Sequence, residues 1–513
     1  MPMKPSTTAV LLVSSLAFSA LVIVACGGGG GDQAPMTVTS GTVISNVTVV
    51  NTQDGSELAN MAVVIDNGKI LSVSKVTDVQ IGGTAKIVDA TGKFVVPGFL
   101  DMHTHASNTL ANPPTDFPVL LANGVTGVRE ASGSPALILA IKQQNAAVLA
   151  GQVDAPEVLI MPSTIYGGQA PTPAAAVQFV KDRKTEGADY LKLVAGPQAA
   201  VLAILGEVKN EGFGVAGHLV PSISALDSSN AGWLSMEHLG AGMGLILDCA
   251  SDQANIRPAV LADPAPPGPN VVNPRVYDGN HNAPYYQRII NTYSDAQCQA
   301  LAQAFVKNGT WQAVTLIRLR TQDYGDDPAY VNDPNLIYVD KTRRALWSQT
   351  GQLFTATITP ATRATLQQYY ALQLKVVKMM QQNGVKMLAG SDLGGGWVVP
   401  GFSLHQEFHE LAAAGLSPLQ ILQMTTLNGA QFVGRQATMG TVEPGKNADL
   451  VLLNADPIAD VTNLDKISGV FLKGKYYSRN ALDAVLSNVA AAYAAQPLKD
   501  LSTALDLTHN DGE

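Results

Sequence analysis

The sequence predicts an α/β protein in which a (β/α)8 (TIM) barrel is flanked by a β-sandwich that both ends of the chain build. Three observations support this prediction. Short β-like runs separated by turn residues fill residues 36–96 and return after Phe432. Between them, apolar bursts alternate with alanine-rich helical stretches, which is the pattern of repeated βα units. The 513 residues are also enough for one large domain and a smaller one.

Residues 1–26 are predicted to be a targeting segment rather than part of the fold. The apolar residues 9–25 follow Lys4 and are at the short limit for a membrane span. They lead into Cys26 through Ile23-Val24-Ala25, which is similar to a bacterial lipobox; an ordinary cleaved signal peptide is the alternative. Residues 27–35 form a Gly-rich linker, a tether that favours lipidation of Cys26. We therefore expect a lipoprotein of the cell envelope, in the outer membrane and facing the periplasm or the cell surface.

The β-sandwich is expected to be composite, with residues 36–96 forming one part and residues 433–480 the other. Asp54-Gly55 and Gly82-Gly83 mark chain reversals in the first part. In the second part, residues 448–453 and 470–472 are strand-like. Residues 481–513 are predicted to be a closing helix followed by a polar tail.

Residues 97–432 are predicted to form the barrel. One connection within it, residues 240–312, is unusually long and contains a Pro/Asn-rich stretch. We interpret it as a lid or a substrate wall, because long loops at a catalytic face are often functional. The eight predicted strands are residues 96–101, 127–130, 158–161, 190–194, 213–218, 234–238, 314–317 and 386–392.

Composition excludes several classes of protein. A hydrophobic content of 46% with 14% charged residues is typical of a well-buried globular protein. The formal net charge of −9 argues against a nucleic-acid partner. The chain has no Cys-x-x-Cys, so thiolate zinc clusters are excluded. Cys249 and Cys298 are compatible either with a disulfide or with two buried thiols.

The ends of the predicted strands carry residues that bind metals. His103 and His105 are two apart on a strand, so their imidazoles project side by side and form half of a metal site. Alone, the pair is weak evidence for a metal site and favours the alternative, two partly exposed histidines at a strand end. The other strand ends supply the remaining candidates, which are Lys192, His218, His238 and Asp392.

Lys192 is directed into the barrel, because Leu191 and Leu193 point to the opposite face. A buried ammonium is costly unless it is paired or neutralised. One interpretation pairs Lys192 with a carboxylate such as Asp392. The other is a carbamate formed from the neutral amine and CO₂, an anionic group whose two oxygens can bridge two cations.

These motifs resemble the amidohydrolase superfamily, specifically its binuclear, imidazolonepropionase- and prolidase-like branch. The resemblance covers nearly the whole mature chain, and residues 439–450 are similar to the family's return to the β-sandwich. The motifs that support it are residues 97–105, 123–126, 188–192, 237–238 and 389–392.

The resemblance implies two divalent metal ions, expected to be Zn²⁺, and a reaction. His103, His105 and Asp392 would hold one ion, His218 and His238 the other, and carbamylated Lys192 would bridge them. A metal-bridging hydroxide would attack the substrate carbonyl, and Asp392 would pass its proton to the leaving nitrogen.

The function implied is metal-dependent hydrolysis of amide-type C–N bonds in a small-molecule substrate. Small peptides such as Xaa-Pro dipeptides, N-acyl amino acids and cyclic amides are candidate substrates. Esters, lactones or phosphotriesters are the first alternative, and a non-catalytic binding lipoprotein on the cell surface is the second. The membrane is expected to be a partner only through the lipid anchor, and a homo-oligomer remains open.

Four residues are candidates for substrate binding. Many relatives have Gly-Gly-His after the third strand, but this chain has Gln169, which does not titrate near neutrality; Tyr166 beside it is a candidate hydrogen-bond donor. Arg318 and Arg320 follow the seventh predicted strand, where alternation would place both on one face to bind a carboxylate or to be solvated. His405 and His409, four apart on a predicted helix, are assigned a structural or substrate-edge role rather than metal binding.

Overall fold

The computed structural model describes residues 35–111, 113–265 and 272–501. The targeting segment with Cys26, nearly all of the Gly-rich linker and most of the polar tail lie outside these residues. The described chain forms a mixed α/β fold that combines a mainly antiparallel β-sheet with a larger region of parallel strands and helices. Across these ranges, no helix combines the length and the apolar character that crossing a membrane requires.

The elements follow one another in the order that the sequence suggests, β-rich at both ends and alternating in between. The strands are β1 (Met36–Val38), β2 (Thr42–Val50), β3 (Glu57–Asp66), β4 (Lys69–Lys75), β5 (Val79–Ile81), β6 (Lys86–Asp89), β7 (Phe94–Pro97), β8 (Phe99–Thr104), β9 (Val125–Glu130), β10 (Glu157–Ile160), β11 (Tyr166–Gly167), β12 (Leu191–Ala195), β13 (Val215–Gly217), β14 (Ser235–Glu237), β15 (Trp311–Ala313), β16 (Met387–Leu388), β17 (Leu450–Leu453), β18 (Ile467–Leu472) and β19 (Lys475–Ser478). The α-helices are α1 (Phe117–Ala122), α2 (Pro135–Leu149), α3 (Pro173–Glu186), α4 (Gln198–Asn210), α5 (Ala225–Asn230), α6 (Gln253–Ala262), α7 (Arg275–Thr292), α8 (Asp295–Asn308), α9 (Leu316–Asp323), α10 (Pro328–Val331), α11 (Lys341–Thr357), α12 (Pro360–Gln382), α13 (Phe402–Ala413), α14 (Pro418–Met424), α15 (Leu427–Phe432) and α16 (Arg479–Ala495).

One eight-stranded sheet contains strands from both ends of the chain, in the order β19-β18-β17-β7-β2-β3-β4 with β6 beside β2. The two ends meet where β7 pairs antiparallel with β17. Successive residues of a strand point to opposite faces. Val95 and Leu452 therefore pack in the sheet's own core, while Val96 and Val451 pack in the main core of the α/β region. A separate parallel pair, β1 and β5, covers part of the sheet.

The α/β region contains two parallel sheets, one of β8–β10 and one of β11–β16. Backbone hydrogen bonds join them at two places. The amide of Met102 donates to the carbonyl of Ala389 (3.0 Å), and the amide of Asp189 donates to the carbonyl of Met161 (2.9 Å). Parallel bridges at both places give the strands one direction, so their C-terminal ends lie on the same side.

The close approach of β7 and β8 to β9 explains the glycine between them. A Cβ atom on Gly98 would lie 2.2 Å from the hydroxyl of Thr126, which is far inside van der Waals contact. The Pro97-Gly98 step therefore lets the chain pass from the β-sheet into the first parallel strand.

The predicted position of the seventh strand, residues 314–317, is wrong. The strand is β15, which ends at Ala313, and residues 316–317 already belong to α9. Thr315 between them has a φ of 42°, which turns the chain out of the strand. A short buried apolar run does not by itself distinguish a strand from the start of a buried helix.

The segment 240–312, which we expected to be a loop, is mainly helical in its described part. It contains α6, α7 and α8, although Pro258 and Pro284 lie inside helices. Cys249 and Cys298 form a disulfide that links the beginning of this segment to α8. Of the two alternatives for these cysteines, the structure shows the paired one.

Candidate metal centre

Six buried side chains meet at the C-terminal ends of the parallel strands. The exposed fraction of each is at most 4%. Strand β8 supplies the first histidine and the residue after it supplies the second, while β12 and the chain after β13, β14 and β16 supply the others. The six residues are His103, His105, Lys192, His218, His238 and Asp392.

Three of these side chains form a group with metal-ligand geometry. The ligand atoms of His103, His105 and Asp392 all lie within 4.8 Å of one another. Asp392 Oδ1 is 3.4 Å from His103 Nε2 and 3.3 Å from His105 Nε2. Imidazole and carboxylate are both ligands that divalent transition metals accept.

The other three residues adjoin this group. Lys192 Nζ lies 3.1 Å from His103 Nε2. The imidazole centroid of His238 is 4.6 Å from that of His103 and 5.2 Å from that of His218. The structure therefore brings all six residues predicted from the sequence into one cluster.

Side chains around the cluster fix the orientation of three imidazoles through Nδ1. His103 Nδ1 is 2.6 Å from Glu237 Oε2, and His105 Nδ1 is 2.6 Å from the hydroxyl of Ser132. His238 Nδ1 is 2.5 Å from the hydroxyl of Thr315. With Nδ1 engaged, Nε2 is the nitrogen available to the cluster, and this is how proteins orient histidines that bind metals. The donor set therefore fits divalent ions.

Burial sets the protonation state of His103. Removal from water lowers the pKa of His103 well below its usual value. The imidazole is therefore neutral at physiological pH, and the neutral form is the one that donates an electron pair to a metal.

Asp392 is held at two points. Its backbone amide donates to the carbonyl of His103 (2.8 Å). Its φ of 58° lies in the left-handed region, which is uncommon for residues other than glycine. Arg318 Nε donates to Asp392 Oδ2 (3.1 Å), which leaves Oδ1 facing the histidines. Both side chains are at most 1% exposed, so this is a fully buried ion pair.

Asp101 supports the backbone next to Asp392 through hydrogen bonds. Its carboxylate accepts hydrogen bonds from the hydroxyl (2.6 Å) and the amide (2.9 Å) of Ser391, the neighbour of Asp392. Burial raises the pKa of Asp101 to about 7, although the bonds from Ser391 lower it. The residue thus fixes the backbone that presents Asp392.

Comparison with known proteins gives matches to part of the sequence and to the fold. The sequence model of the Amidohydrolase family matches residues 365–476. Adenine deaminase of Listeria monocytogenes serotype 4b (strain F2365) is 36% identical over 86 residues, which are 17% of this chain and 14% of that protein. Adenine deaminase of Staphylothermus marinus is 32% identical over 88 residues, again 14% of its length. The chain therefore matches only a small part of these curated relatives.

Solved structures extend the similarity to most of the chain. Bottromycin amidohydrolase has a TM-score of 0.66 at 19% identity, over 88% of this chain and 90% of that one. A putative prolidase from Bifidobacterium longum has a TM-score of 0.59 at 20% identity, over 88% and 99%. The chain is thus similar to amidohydrolases in sequence over residues 365–476 and in fold over most of its length. At these identities the structural similarity concerns the fold, and the chemistry must be argued from the site.

Several residues that support the metal-ligand cluster were not assigned a role from the sequence. Glu237 binds the guanidinium of Arg129 and accepts from the hydroxyl of Ser235 (2.7 Å). Arg129 is 1% exposed and lies over the ring of Phe432. An arginine inside an otherwise buried strand is a signal available in the sequence, since a buried guanidinium needs a carboxylate partner. The hydroxyl groups of Ser132 and Thr315 give no such signal.

The arginine pair predicted for substrate binding is not arranged as expected. Arg318 and Arg320 lie on α9, where residues two apart point in different directions, rather than on a strand. Arg318 is buried against Asp392, whereas Arg320 contacts Asp327 (3.2 Å) and Glu410 (3.2 Å). The prediction that Arg318 and Arg320 share one face was wrong, because the strand ends earlier than predicted and both residues lie on a helix.

Tyr166 and Gln169 bind their own loop. The hydroxyl of Tyr166 donates to the carbonyl of Ala170 (2.9 Å). Gln169 accepts from the amide of Gly167 and donates to the carbonyl of Ile165, both at 2.6 Å. Neither residue lines the cavity that reaches His218 and His238.

The helical histidine pair lies away from the cluster. His405 Nδ1 is 3.0 Å from Asp465 Oδ1, and His409 Nε2 is 2.9 Å from Asp465 Oδ2. Helix α13 is thereby tied to the segment before β18, which agrees with a structural role. His281 is on α7 and contacts the backbone of Asp263 (3.0 Å).

Proposed function

We propose that this protein is a metal-dependent hydrolase of amide-type C–N bonds, in the binuclear, prolidase-like branch of the amidohydrolase superfamily. The observation that supports it best is the buried cluster of four histidines, Lys192 and Asp392 at the C-terminal ends of parallel strands. Relatives named as deaminases, amidohydrolases and prolidases support the same class of reaction.

We infer that the two parallel sheets close into one eight-stranded barrel, with β8–β10 and β12–β16 as its strands. The backbone bonds from Met102 to Ala389 and from Asp189 to Met161 support this closure, because they join the sheets at both edges. In such barrels, residues at the C-terminal ends of the strands form the active site. The six-residue cluster lies at those ends.

Two divalent ions, Zn²⁺ by the proposal, would bind to this cluster. His103, His105 and Asp392 would hold one ion, and His218 and His238 would hold the other. When bound, such ions make water nucleophilic near neutral pH and polarise a carbonyl group.

Lys192 would join the two halves of the site as a carbamate. Its amino nitrogen lies 3.1 Å from His103 Nε2 and the residue is 1% exposed. An ammonium is disfavoured in a buried site beside cations. The ammonium first loses one proton to give the neutral amine. Attack of that amine on CO₂ forms one N–C bond and releases a second proton, so that the two losses together convert a cationic side chain into an anionic one.

Asp392 is the residue placed to move the proton. Its Oδ1 faces the histidine pair, so it can accept the proton of the attacking water and deliver it to the leaving nitrogen. Arg318 holds the other oxygen and thereby keeps Oδ1 directed at the reacting atoms. Arg318 is thus a positioning residue rather than a substrate ligand.

The proposed substrates are small peptides such as Xaa-Pro dipeptides, N-acyl amino acids and cyclic amides. A structure described as a Xaa-Pro dipeptidase has a TM-score of 0.56 over 85% of this chain. Hydrolysis of esters, lactones or phosphotriesters is the alternative for the same site. The filled ligand set argues against a non-catalytic binding protein.

We also propose that the protein acts in the cell envelope as a lipoprotein anchored through Cys26. The disulfide between Cys249 and Cys298 supports an oxidising compartment. Palmitate labelling that disappears in a Cys26→Ala variant would support the anchor, and labelling that persists would contradict it.

Metal analysis and a substrate panel test the function together. Protein purified with bicarbonate should contain close to two divalent ions per chain, falling in Lys192→Ala. A panel of dipeptides, N-acyl amino acids, lactams and esters should include a hydrolysed amide, with Asp392→Asn reducing kcat by roughly a hundredfold or more. One ion that Lys192→Ala leaves unchanged would contradict the bridged site. Turnover of esters alone would favour the alternative.

A further inference from the structure

The cavity beside the metal cluster has an apolar wall. Its volume is about 340 Å³, near the lower end for ligand sites, and it reaches His218 and His238. Part of the wall comes from the chain after β13 and part from the segment 240–312. The aliphatic side chains that line it include Leu219, Val220, Ile223, Leu247, Leu261 and Leu319. Such a wall selects a substrate with an apolar body.

Two arginines line the same cavity, but each is already paired. Arg257 donates to Asp248 Oδ1 (2.8 Å) and to the carbonyl of Pro221 (2.7 Å). Arg275 donates to Asp323 Oδ1 (2.8 Å) and to the hydroxyl of Tyr286 (2.8 Å). Neither Asp248 nor Asp323 lines the cavity, so each arginine is neutralised by a carboxylate outside the cavity lining.

Asp278 is the carboxylate that lines the cavity among the described residues. One of its oxygens is 3.7 Å from Arg275 Nη1, which is longer than a hydrogen bond. The Asp278 side chain is 23% exposed, whereas that of Arg275 is 1% exposed. With Arg275 balanced by Asp323, the wall presents one negative charge to whatever occupies the cavity.

The electrostatic environment of Asp278 agrees with this. Burial raises its pKa above the usual value, although Arg275, a hydrogen bond from Asn282 and the charge of His281 lower it. The protein therefore does not fully stabilise the ionised carboxylate. A ligand cation placed there would supply the missing stabilisation.

We infer that the cavity binds a substrate group that joins an apolar body to a positively charged amine, with Asp278 as the counter-ion. The inference rests on the proposed function and names its substrate class: amides that carry an alkylammonium group. That group is either a free amino terminus or a basic side chain. Both groups carry the positive charge that Asp278 would bind. Separate pairs of substrates distinguish an amino terminus from a basic side chain.

Matched amide substrates test the charge preference in the metal-loaded full chain. Leucine p-nitroanilide and its N-acetyl derivative differ in a free amino terminus. N-acetyl-lysine and N-acetyl-norleucine p-nitroanilides differ in a basic side chain. We expect the cationic member of at least one pair to have a higher kcat/KM by roughly tenfold or more. The pair that shows the effect identifies the source of the charge.

The variant Asp278→Asn should abolish that preference, so that the cationic-to-neutral ratio falls towards one. Asp263→Asn is the matched control, because Asp263 belongs to the same segment but is 63% exposed and does not line the cavity. It should leave the ratio as in the wild type. A wild-type enzyme that hydrolyses both members of each pair equally well would overturn the inference and leave the proposed function intact.

Binding measurements decide the inference without turnover. Calorimetry should show 2-phenylethylammonium binding roughly tenfold or more tightly than 2-phenylethanol, its neutral counterpart. The wild-type comparison needs no variant, so it holds even if Asp278→Asn folds poorly. Equal or undetectable binding of both probes would overturn the inference. Absence of hydrolysis with selective amine binding would instead count against the proposed function alone.

Discussion

Three histidines of the cluster engage Nδ1 with a neighbouring side chain, namely Glu237 for His103, Ser132 for His105 and Thr315 for His238. The partners come from other strand ends or from the chain just after them. Each therefore couples the direction of one imidazole to the position of another part of the backbone. A partner of this kind both selects the tautomer and limits rotation of the ring.

The Thr315 contact gives a direct test at the residue scale. Thr315→Val removes the hydroxyl but keeps the shape of the side chain, so His238 loses its partner while the packing is retained. We expect the affinity for the metal ion that His218 and His238 would hold to fall about ten- to hundredfold. Competition with a chromophoric chelator measures this.

Thr321→Val is the matched control for that variant. Its hydroxyl is also buried but donates to the carbonyl of Arg318 (2.9 Å) instead of contacting a histidine. Metal affinity should stay at the wild-type value. Equal losses in both variants would show that the effect comes from general destabilisation of α9.

At the scale of elements, α9 connects two residues of the site to the protein core. The threonine before it, Thr315, contacts His238, and Arg318 within it contacts Asp392. Glu407 on α13 accepts from the amide of Ile317 at 2.7 Å and so anchors the first turn of α9. These relations were not predictable from the sequence, because the apolar run 314–317 is compatible with strand and helix alike.

Helix α13 provides a pH-dependent contact. The hydrogen bond between His409 on this helix and Asp465 raises the pKa of His409, and burial lowers that pKa to a smaller extent. Burial alone would raise the pKa of Asp465, but bonds from His405 and His409 bring it to about 2. The His409 contribution to stability is therefore present below its ordinary pKa of 6.5 and lost as pH rises through the raised value. The Asp465 contribution is present above 3.8 and lost as pH falls towards about 2.

We expect His409→Gln to destabilise the protein by about 0.5 kcal/mol at pH 5.5 and by much less at pH 8.5. The value is small because the two side chains are 43% and 37% exposed. Urea unfolding at both pH values measures the difference. In an Asp465→Asn background the pH dependence of the substitution should disappear, and its persistence there would assign it to another group.

The disulfide stabilises the segment that lines the cavity. Cys249 and Cys298 are 49 residues apart, and closing a loop of that length is worth about 4 kcal/mol in the chain-entropy description. We expect the Cys249→Ser, Cys298→Ser double variant to lose about 2–4 kcal/mol of unfolding free energy. Wild-type protein unfolded with and without reductant provides the comparison. Identical transitions for all samples would contradict a stabilising disulfide.

For the whole molecule, the features best predicted from the sequence were those that follow a regular pattern, namely the strands and the cluster at their ends. Apolar bursts that alternate with alanine-rich stretches indicated the parallel strands. The polar residues at the ends of these strands indicated the cluster, since parallel strands end on one side. The side chains that set specificity were harder to predict. Asp278 and Arg275 lie in a segment with two internal prolines that we expected to be a loop. Its helices depend on packing against the rest of the fold, which local sequence does not show.

Metal removal should affect the stability of the whole molecule. The six residues come from positions between His103 and Asp392, so only the folded chain brings them together. A ligand that binds only the folded state stabilises it by about 4 kcal/mol at a free concentration 1,000 times its Kd. We therefore expect chelation to lower Tm by several degrees and re-addition of the ion to restore it. Chelator saturated beforehand with Ca²⁺ is the control, and His238→Ala should reduce the shift because one ion loses a ligand. A Tm unchanged after verified removal of metal would contradict the predicted coupling between metal binding and stability.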